Sequence, residues 1–177
     1  MAELKGPDKQ RYVSEMFARI SGRYDLMNTL MTGGLHLRWK EKTAQLTTGG
    51  LTGKALDVAT GTGDLAFSLA RCPGIDGAVG VDVLPQMVSL AREKGRSKDL
   101  AHKVTFVLGD AHALPFPNDS FACATAGFSL RNMSNLDQAL SEMVRVVRPG
   151  GRVSTLELTP MRPGGLSVLM RIYTQGL

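Results

Sequence analysis

"KALDVATGTGDLAFSLA", residues 54–70, decides the fold of this chain. The apolar run 55–59 leads into Gly61-Thr62-Gly63, and a helical pattern follows Asp64. A strand, a Gly-x-Gly turn and a helix in this order present backbone N–H groups and the positive end of a helix dipole to a ligand, and glycine lets the ligand approach closely. The motif alone leaves three interpretations open: a dinucleotide pyrophosphate, another nucleotide, or a tight turn that binds nothing.

Further apolar runs of strand length follow this unit along the chain. They are too continuous for antiparallel strands with one wet face, and they suit a parallel sheet that is covered on both sides. The predicted strands are 55–59, 78–83, 104–109, 121–128 and 152–158, with helices predicted at 65–70, 85–94 and 134–147. The alternation predicts an α/β fold with a Rossmann-like, doubly wound, mostly parallel sheet.

The chain reads as one domain with three parts. Its 177 residues suffice for a single core. Residues 1–50 have helical character and are expected to form an N-terminal flap, and residues 51–160 are expected to form the ligand-binding core. Residues 161–177 contain an amphipathic helix after which the chain stops, so we expect a shortened C-terminus that lacks the last strands of the sheet.

Composition argues against several classes of protein. The formal net charge is +5, but the basic residues are dispersed and not interleaved with aromatic residues, which favours a solvated surface over a nucleic-acid interface. No apolar run reaches the roughly 18 residues of a membrane span, and the N-terminal residues have no signal-peptide pattern. Cys72 and Cys123 are isolated, and the histidines are scattered. We therefore expect a cytoplasmic protein with neither a nucleic-acid partner nor a metal site.

Three acidic residues accompany the predicted strands. Asp57 lies inside the first strand, Asp82 ends the second, and Asp110 follows the third. Because the carboxyl ends of parallel strands meet at one crevice, all three are expected to line the same cleft. Asp82 is placed to accept hydrogen bonds from ribose hydroxyls, and Asp57 to fix the turn or meet a cation. Asp110 either bonds an adenine edge or caps a turn. These acids favour a ribose-bearing ligand.

Four stretches, "LDVATGTGD", "VDVLPQM", "GDAHALPFPNDSF" and "EMVRVVRPGG", resemble the successive motifs of class I S-adenosylmethionine-dependent methyltransferases. The resemblance implies that S-adenosyl-L-methionine is the cofactor. It places the methionine part at the glycine turn, the ribose at the second-strand acid and the adenine near the third-strand acid. The residues expected to bind it are Asp57, Gly61, Thr62, Gly63, Asp82, Met87, Asp110, Ala111 and Gly127.

Two more stretches narrow the resemblance. "YDLMNTLMTGGLHLRWK" (24–40) and "FSLRNMSNLDQAL" (128–140) are similar to segments of the ubiquinone/menaquinone biosynthesis C-methyltransferase family. Ser129 and Thr32 depart from the usual glycine and serine of these motifs. The resemblance implies C-methylation of a polyprenyl quinol ring, either demethylmenaquinol or 2-methoxy-6-polyprenyl-1,4-benzoquinol. Members of this family normally continue for several dozen further residues.

The same resemblance supplies candidate catalytic residues. These are Tyr24, Asp25, Arg131 and Asn132, with Asn28 and His36 as further candidates for contact with the acceptor. Four of them have a structural alternative: a salt bridge to Asp25 or another acid for Arg131, caps for the two asparagines, and flap packing or a helix terminus for His36. Asp64 either caps its helix or meets the ligand's amino group.

The sequence leaves other functions and partners open. A methyltransferase with another small-molecule acceptor is one alternative, and a non-catalytic methyltransferase-like scaffold is a second. An NAD-linked oxidoreductase is a third. Besides the quinol, we expect contact with the inner face of the membrane, where such quinols reside, and association with a second copy of the chain.

Overall fold

The computed structural model describes residues 23–158. The first residues of the predicted flap, 1–22, and the predicted C-terminal helix within 161–177 lie outside this range. The helices are α1 (Tyr24–Thr32), α2 (Leu35–Thr48), α3 (Asp64–Ala70), α4 (Pro85–Ser97) and α5 (Leu136–Val146), with a 3₁₀ turn at Leu130–Asn132. The strands are β1 (Gly53–Val58), β2 (Ile75–Asp82), β3 (Val104–Leu108), β4 (Phe121–Gly127) and β5 (Val147–Leu156).

The five strands form one parallel sheet in the order β3-β2-β1-β4-β5. This confirms the predicted Rossmann-like, doubly wound architecture. On one side of β1 lie β2 and then β3. The chain then crosses back to the other side of β1, where β4 and β5 are added. Ligands of such sheets bind at this switch point, outside the carboxyl ends of the strands. The topology therefore directs attention to the ends of β1 and β4.

Each face of the sheet buries its own apolar cluster. On one face α2, α3 and α4 pack over the strands around the edge-to-face pair Phe67 and Phe106, whose ring centroids are 5.5 Å apart. On the other face α5 packs Ala139, Met143 and Val146 against the central strands. Because both faces are covered, the central strands are mostly apolar, as their sequence predicted, with Asp57 and Thr125 as buried polar exceptions.

The α5–β5 junction differs from its prediction. The helix was expected to continue to Val147 and stop at the Pro149-Gly150-Gly151 terminator, but it ends at Val146 and β5 begins at once. Phe121 of β4 pairs with Val147, whereas Cys123 pairs with Arg152. The intervening residues therefore loop out of the register, and Gly150 supplies the left-handed φ of 79° that the loop requires.

Helix ends follow their local sequence. The side chain of Asn135 accepts a hydrogen bond of 3.1 Å from the Gln138 backbone N–H and so caps α5. Proline at the start of α4 fits a position that needs no intrahelical donor. Within residues 23–158, every helix is too short or too polar to cross a lipid bilayer.

Candidate functional site

A cleft lies at the carboxyl ends of β1, β2, β3 and β4, beside the switch point. Its empty volume is about 810 Å³, counting the part that opens to solvent. The lining residues are Ala59, Gly61, Asp82, Val83, Leu84, Met87, Gly109, Asp110, Ala111, His112, Gly127, Phe128, Ser129, Asn132, Met133 and Ser134.

Of the residues predicted for cofactor binding or catalysis, most meet in this cleft, but some do not. Those that line it are Gly61, Asp82, Met87, Asp110, Ala111, Gly127 and Asn132. Those that lie outside its wall are Asp25, Asp57, Thr62, Gly63 and Arg131. Tyr24 begins α1, and its side chain lies outside the part of the chain that the structure describes.

The two glycines of the turn have different roles. Gly61, with a φ of 56°, faces the cleft. Gly63 is buried, and a Cβ on it would lie 2.6 Å from the Phe106 ring. Gly61 therefore forms part of the cleft wall, whereas Gly63 lets the turn pack on the core.

Asp82 joins the turn to the cleft. One carboxylate oxygen accepts a 2.8 Å hydrogen bond from the Gly61 N–H, and the other accepts one of 3.0 Å from the Leu84 N–H. Asp82 is buried, and burial raises the pKa of its carboxyl. A carboxylate has about four lone-pair sites, so the backbone bonds leave acceptor capacity on Asp82, which lines the cleft. This geometry fits an acceptor for vicinal hydroxyls.

Asp110 organises the opposite wall together with His112, which the sequence did not single out. An Asp110 carboxylate oxygen accepts a hydrogen bond of 2.9 Å from the backbone N–H of His112. The same oxygen lies 2.6 Å from His112 Nδ1. His112 Nε2 accepts a 3.2 Å bond from the Asn135 N–H, so the ring proton is on Nδ1 and is donated to Asp110. Asp110 thus has the turn-capping role, and its contact with adenine stays a prediction.

Asp57 corrects the expectation that all three acids share the cleft. It is 1% exposed and lies beneath the turn, where its two oxygens accept hydrogen bonds from Thr60 Oγ1 (2.6 Å) and Thr125 Oγ1 (2.8 Å). Of the two predicted roles, fixing the turn is the one observed. Among residues 23–158 no three His, Cys, Asp or Glu side chains are grouped to hold a metal ion. Burial raises the pKa of Asp57 to about 6.

This raised pKa gives a testable pH dependence. The folded state holds the Asp57 proton more tightly than the unfolded state, so the stabilisation is full below about pH 4 and is lost as pH rises through about 6. Asp57→Asn keeps the neutral shape and removes the titration. We expect the free energy of unfolding of the wild type, relative to this variant, to fall by about 2 kcal/mol from pH 4 to pH 7 in urea titrations.

Asp76→Asn is the matched control, because Asp76 is exposed at the other end of the sheet. The free energy of unfolding of Asp76→Asn, plotted against pH, should run parallel to that of the wild type. If the free energy of unfolding of Asp57→Asn also ran parallel to that of the wild type, the pH dependence would not come from Asp57.

An ion-pair network ties the flap to the back of the turn. Asp25 of α1 accepts 2.6 Å hydrogen bonds from Thr62 Oγ1 and Lys94 Nζ. Asp64 pairs with Lys94 and, at 3.0 Å, with Lys40 of α2. Burial alone would raise the pKa of Asp64, but the two lysines outweigh burial and hold it below its usual value. Asp64 and Asp25 therefore connect helices on this side of the turn, and neither lines the cleft.

The other residues predicted to contact the methyl acceptor are exposed in one case and buried in others. The Arg131 side chain is 55% exposed and lies 3.7 Å from Glu157, so its salt-bridge partner is that acid and not Asp25. His36 is buried in α2, and burial lowers its pKa, in agreement with flap packing. Within the described residues, His36 Nδ1, Asn28 Nδ2 and Ser129 Oγ are buried without a hydrogen-bond partner. The only sequence signal for Ser129 was its departure from glycine.

Comparison with known proteins decides the family. The model of the ubiE/COQ5 methyltransferase family matches residues 5–177. The chain belongs to the ubiE/COQ5 methyltransferase family. This confirms the predicted family, the enzyme class and the methyl donor S-adenosyl-L-methionine.

The names of similar proteins agree with this family assignment. The demethylmenaquinone methyltransferase of Thermus thermophilus is 42% identical over 161 residues, which cover 90% of this chain and 72% of that protein. The ubiquinone/menaquinone biosynthesis C-methyltransferase UbiE of Pseudomonas aeruginosa is 39% identical over 170 residues, which cover 96% of this chain and 66% of that protein. The chain thus spans about two thirds to three quarters of the length of these relatives.

Solved structures share the fold of the family member. The [4+2]-cyclase SpnF has a TM-score of 0.72 at 28% identity, with 91% of this chain and 64% of that chain covered. The YcgJ protein of Bacillus subtilis has a TM-score of 0.60 at 30% identity, with 69% and 50% covered. One fold therefore carries more than one chemistry, and the site has to decide the function.

The residues present fit the family's methyl donor. Gly61, Gly109 and Gly127 line the cleft, and Asp82 would offer carboxylate oxygens to the hydroxyls of a ribose. Met87 and Met133 give the cleft apolar walls for a base or a thioether. Ser129 adds a buried hydroxyl without a partner among the described residues, as a wall that receives a polar ligand would have.

Proposed function

We propose that the cleft binds S-adenosyl-L-methionine through Asp82 and that the protein methylates a ring carbon of a polyprenyl quinol. The acceptor is demethylmenaquinol or 2-methoxy-6-polyprenyl-1,4-benzoquinol. The observation that carries the proposal is the Asp82 carboxylate, which holds the glycine turn, lines the cleft and keeps acceptor capacity. The named activities of the Thermus and Pseudomonas relatives support the acceptor class.

Bound S-adenosylmethionine supplies an electrophilic methyl group on a sulfonium sulfur. An aromatic ring carbon becomes nucleophilic when a ring hydroxyl loses its proton, so the protein has to favour the phenolate and align the ring. Asn132 lines the cleft, and its amide is proposed to bond a ring oxygen. Arg131, next to it, is too basic to take a proton and is proposed to stabilise the phenolate charge. Its side chain is exposed, and the salt bridge to Glu157 is long.

The prenyl tail requires an apolar surface, and the flap offers one. Leu26 and Leu30 of α1 are 58% and 68% exposed, and Leu37 of α2 is 46% exposed. Exposed leucines on neighbouring helices are suited to a lipid tail or to the boundary of a bilayer. We therefore propose that the flap receives the tail and that the protein works at the inner face of the membrane.

Calorimetry and a methyl-transfer assay test this function. We expect S-adenosylmethionine and S-adenosylhomocysteine to bind and NAD not to bind. We further expect transfer of the labelled methyl group to at least one of the two quinols, with no transfer to catechol as a non-prenylated phenol. Binding of NAD but not of S-adenosylmethionine would exclude a methyltransferase. Binding of S-adenosylmethionine without methyl transfer would favour a non-catalytic, methyltransferase-like scaffold.

Arg131→Gln separates catalysis from binding in the same assay. It should lower kcat about tenfold or more while the Kd of S-adenosylhomocysteine stays unchanged, since the phenolate forms only during turnover. Arg38→Gln, at an exposed arginine of α2, is the matched control and should change neither quantity. An unchanged kcat for Arg131→Gln would remove this residue from the proposal.

A further inference from the structure

Ser129 is an unassigned polar group in the wall of the cleft. It lines the cleft directly after β4, and the residue is 9% exposed. Its Oγ is fully shielded and has no hydrogen-bond partner among residues 23–158. A buried hydroxyl without a partner costs free energy, so each such group calls for an explanation. Because Ser129 lines the cleft, rotation about its Cα–Cβ bond would turn the shielded hydroxyl toward the cleft, where a ligand would supply the missing partner.

The backbone holds Ser129 in a defined position. Phe128 has a left-handed φ of 58°, and its N–H donates to the Leu156 carbonyl at 2.7 Å. The Ser129 carbonyl accepts a 2.9 Å bond from the Asn132 N–H and so starts the 3₁₀ turn. The chain is therefore fixed on both sides of Ser129.

The position of Ser129 along the cleft decides which part of a ligand it meets. This step rests on the proposed function. Asp82 and Asp110 lie on the β2–β3 side, and the proposed function puts the nucleoside there. Gly61 and Gly127 stand at the switch point between β1 and β4. A ligand that extends past them from the nucleoside side reaches the β4 side, and Ser129 stands there.

We propose that the Ser129 hydroxyl hydrogen-bonds the amino-acid end of S-adenosylmethionine. That end carries an ammonium and a carboxylate, and a hydroxyl is able to accept from the first or donate to the second. Among the lining residues, those on the β4 side carry no basic side chain, so a neutral hydroxyl is the polar side chain nearest to the strand end. Ser129 thus sets affinity for the amino-acid end without touching the nucleoside.

Two ligands separate this contact from a general effect on the cleft. S-adenosylhomocysteine contains the amino-acid end, and 5′-methylthioadenosine lacks it but keeps the nucleoside and the thioether. We expect Ser129→Ala to raise the Kd of S-adenosylhomocysteine about tenfold in calorimetry and to leave that of methylthioadenosine unchanged. Ser129→Gly, which removes the hydroxyl without adding a methyl group, should behave in the same way. The melting temperature without ligand checks folding.

Ser134→Ala is the matched control. Ser134 lines the same cleft, but its Oγ lies 3.3 Å from His112 Nε2, so its hydroxyl already has a partner. Its substitution should leave the ratio of the two dissociation constants at the wild-type value. An unchanged ratio in both Ser129 variants would overturn the inference while the proposed function stands. Failure of the wild type to bind S-adenosylhomocysteine would overturn both.

Discussion

Asp82→Ala is expected to raise the Kd of S-adenosylhomocysteine by roughly 100-fold, about 3 kcal/mol. The substitution removes the acceptor for the ribose hydroxyls, and hydrogen bonds to a charged group contribute about 1.5–3 kcal/mol each. It also releases the Gly61 and Leu84 N–H groups, which Asp82 holds at 2.8 and 3.0 Å. The glycine turn then loses the side chain that fixes it beside the cleft.

The measurement is calorimetry at neutral pH with S-adenosylhomocysteine and with its 2′,3′-dideoxy analogue. In the wild type the analogue should bind more weakly, and in Asp82→Ala the two ligands should bind alike. Asp76→Ala is the control on the same strand, because Asp76 is exposed at the amino end of β2. A variant that still prefers the ribose hydroxyls would show that Asp82 supports the turn only.

Gly63→Ala is expected to lower the free energy of unfolding by about 4 kcal/mol. The residue has a φ of 87°, in the left-handed region where alanine is strained. Its added Cβ would lie 2.6 Å from Cζ and 2.8 Å from Cε1 of Phe106. Phe106 is 3% exposed and packs edge-to-face on Phe67, so it has no space into which to retreat.

Gly150→Ala isolates the steric part of this cost. Gly150 has a similar φ of 79°, but a Cβ there would meet no atom within 4 Å. We expect this control to lose about 1 kcal/mol from backbone strain alone, measured by urea unfolding monitored by circular dichroism. Equal losses in the two variants would mean that the Phe106 ring yields, and that the turn glycine is not required by packing.

Local signals in the sequence were sufficient for the sheet and for part of the site. The apolar runs located all five strands because the sheet is covered on both faces and its strands need no alternation. Asp82 was predicted from its position at the end of a strand, where parallel topology turns side chains toward the crevice. The start of β2 was missed, because Asp76 and Gly77 interrupt its apolar pattern while the backbone of Gly77 still pairs with Lys54.

Roles that depend on distant partners were not predictable in this way. The sequence around Gly63 does not predict its contact with the Phe106 ring. The sequence around Asp57 does not predict its hydrogen bond with Thr125, which is 68 residues away. His112 was read as a scattered histidine, yet it bridges Asp110 and the first turn of α5. Its importance arises only when the loop after β3 meets that helix.

The sequence by itself determined the parallel sheet, the glycine turn at its switch point and the acid at the end of β2. These depend on local patterns and on the topology that such patterns impose. Only the tertiary structure decided what each residue of "ATGTGD" does. Gly61 lines the cleft, Gly63 accommodates Phe106, and Asp64 pairs with two lysines. Those assignments depend on side chains that packing brings together from remote parts of the chain, and no local pattern encodes such contacts.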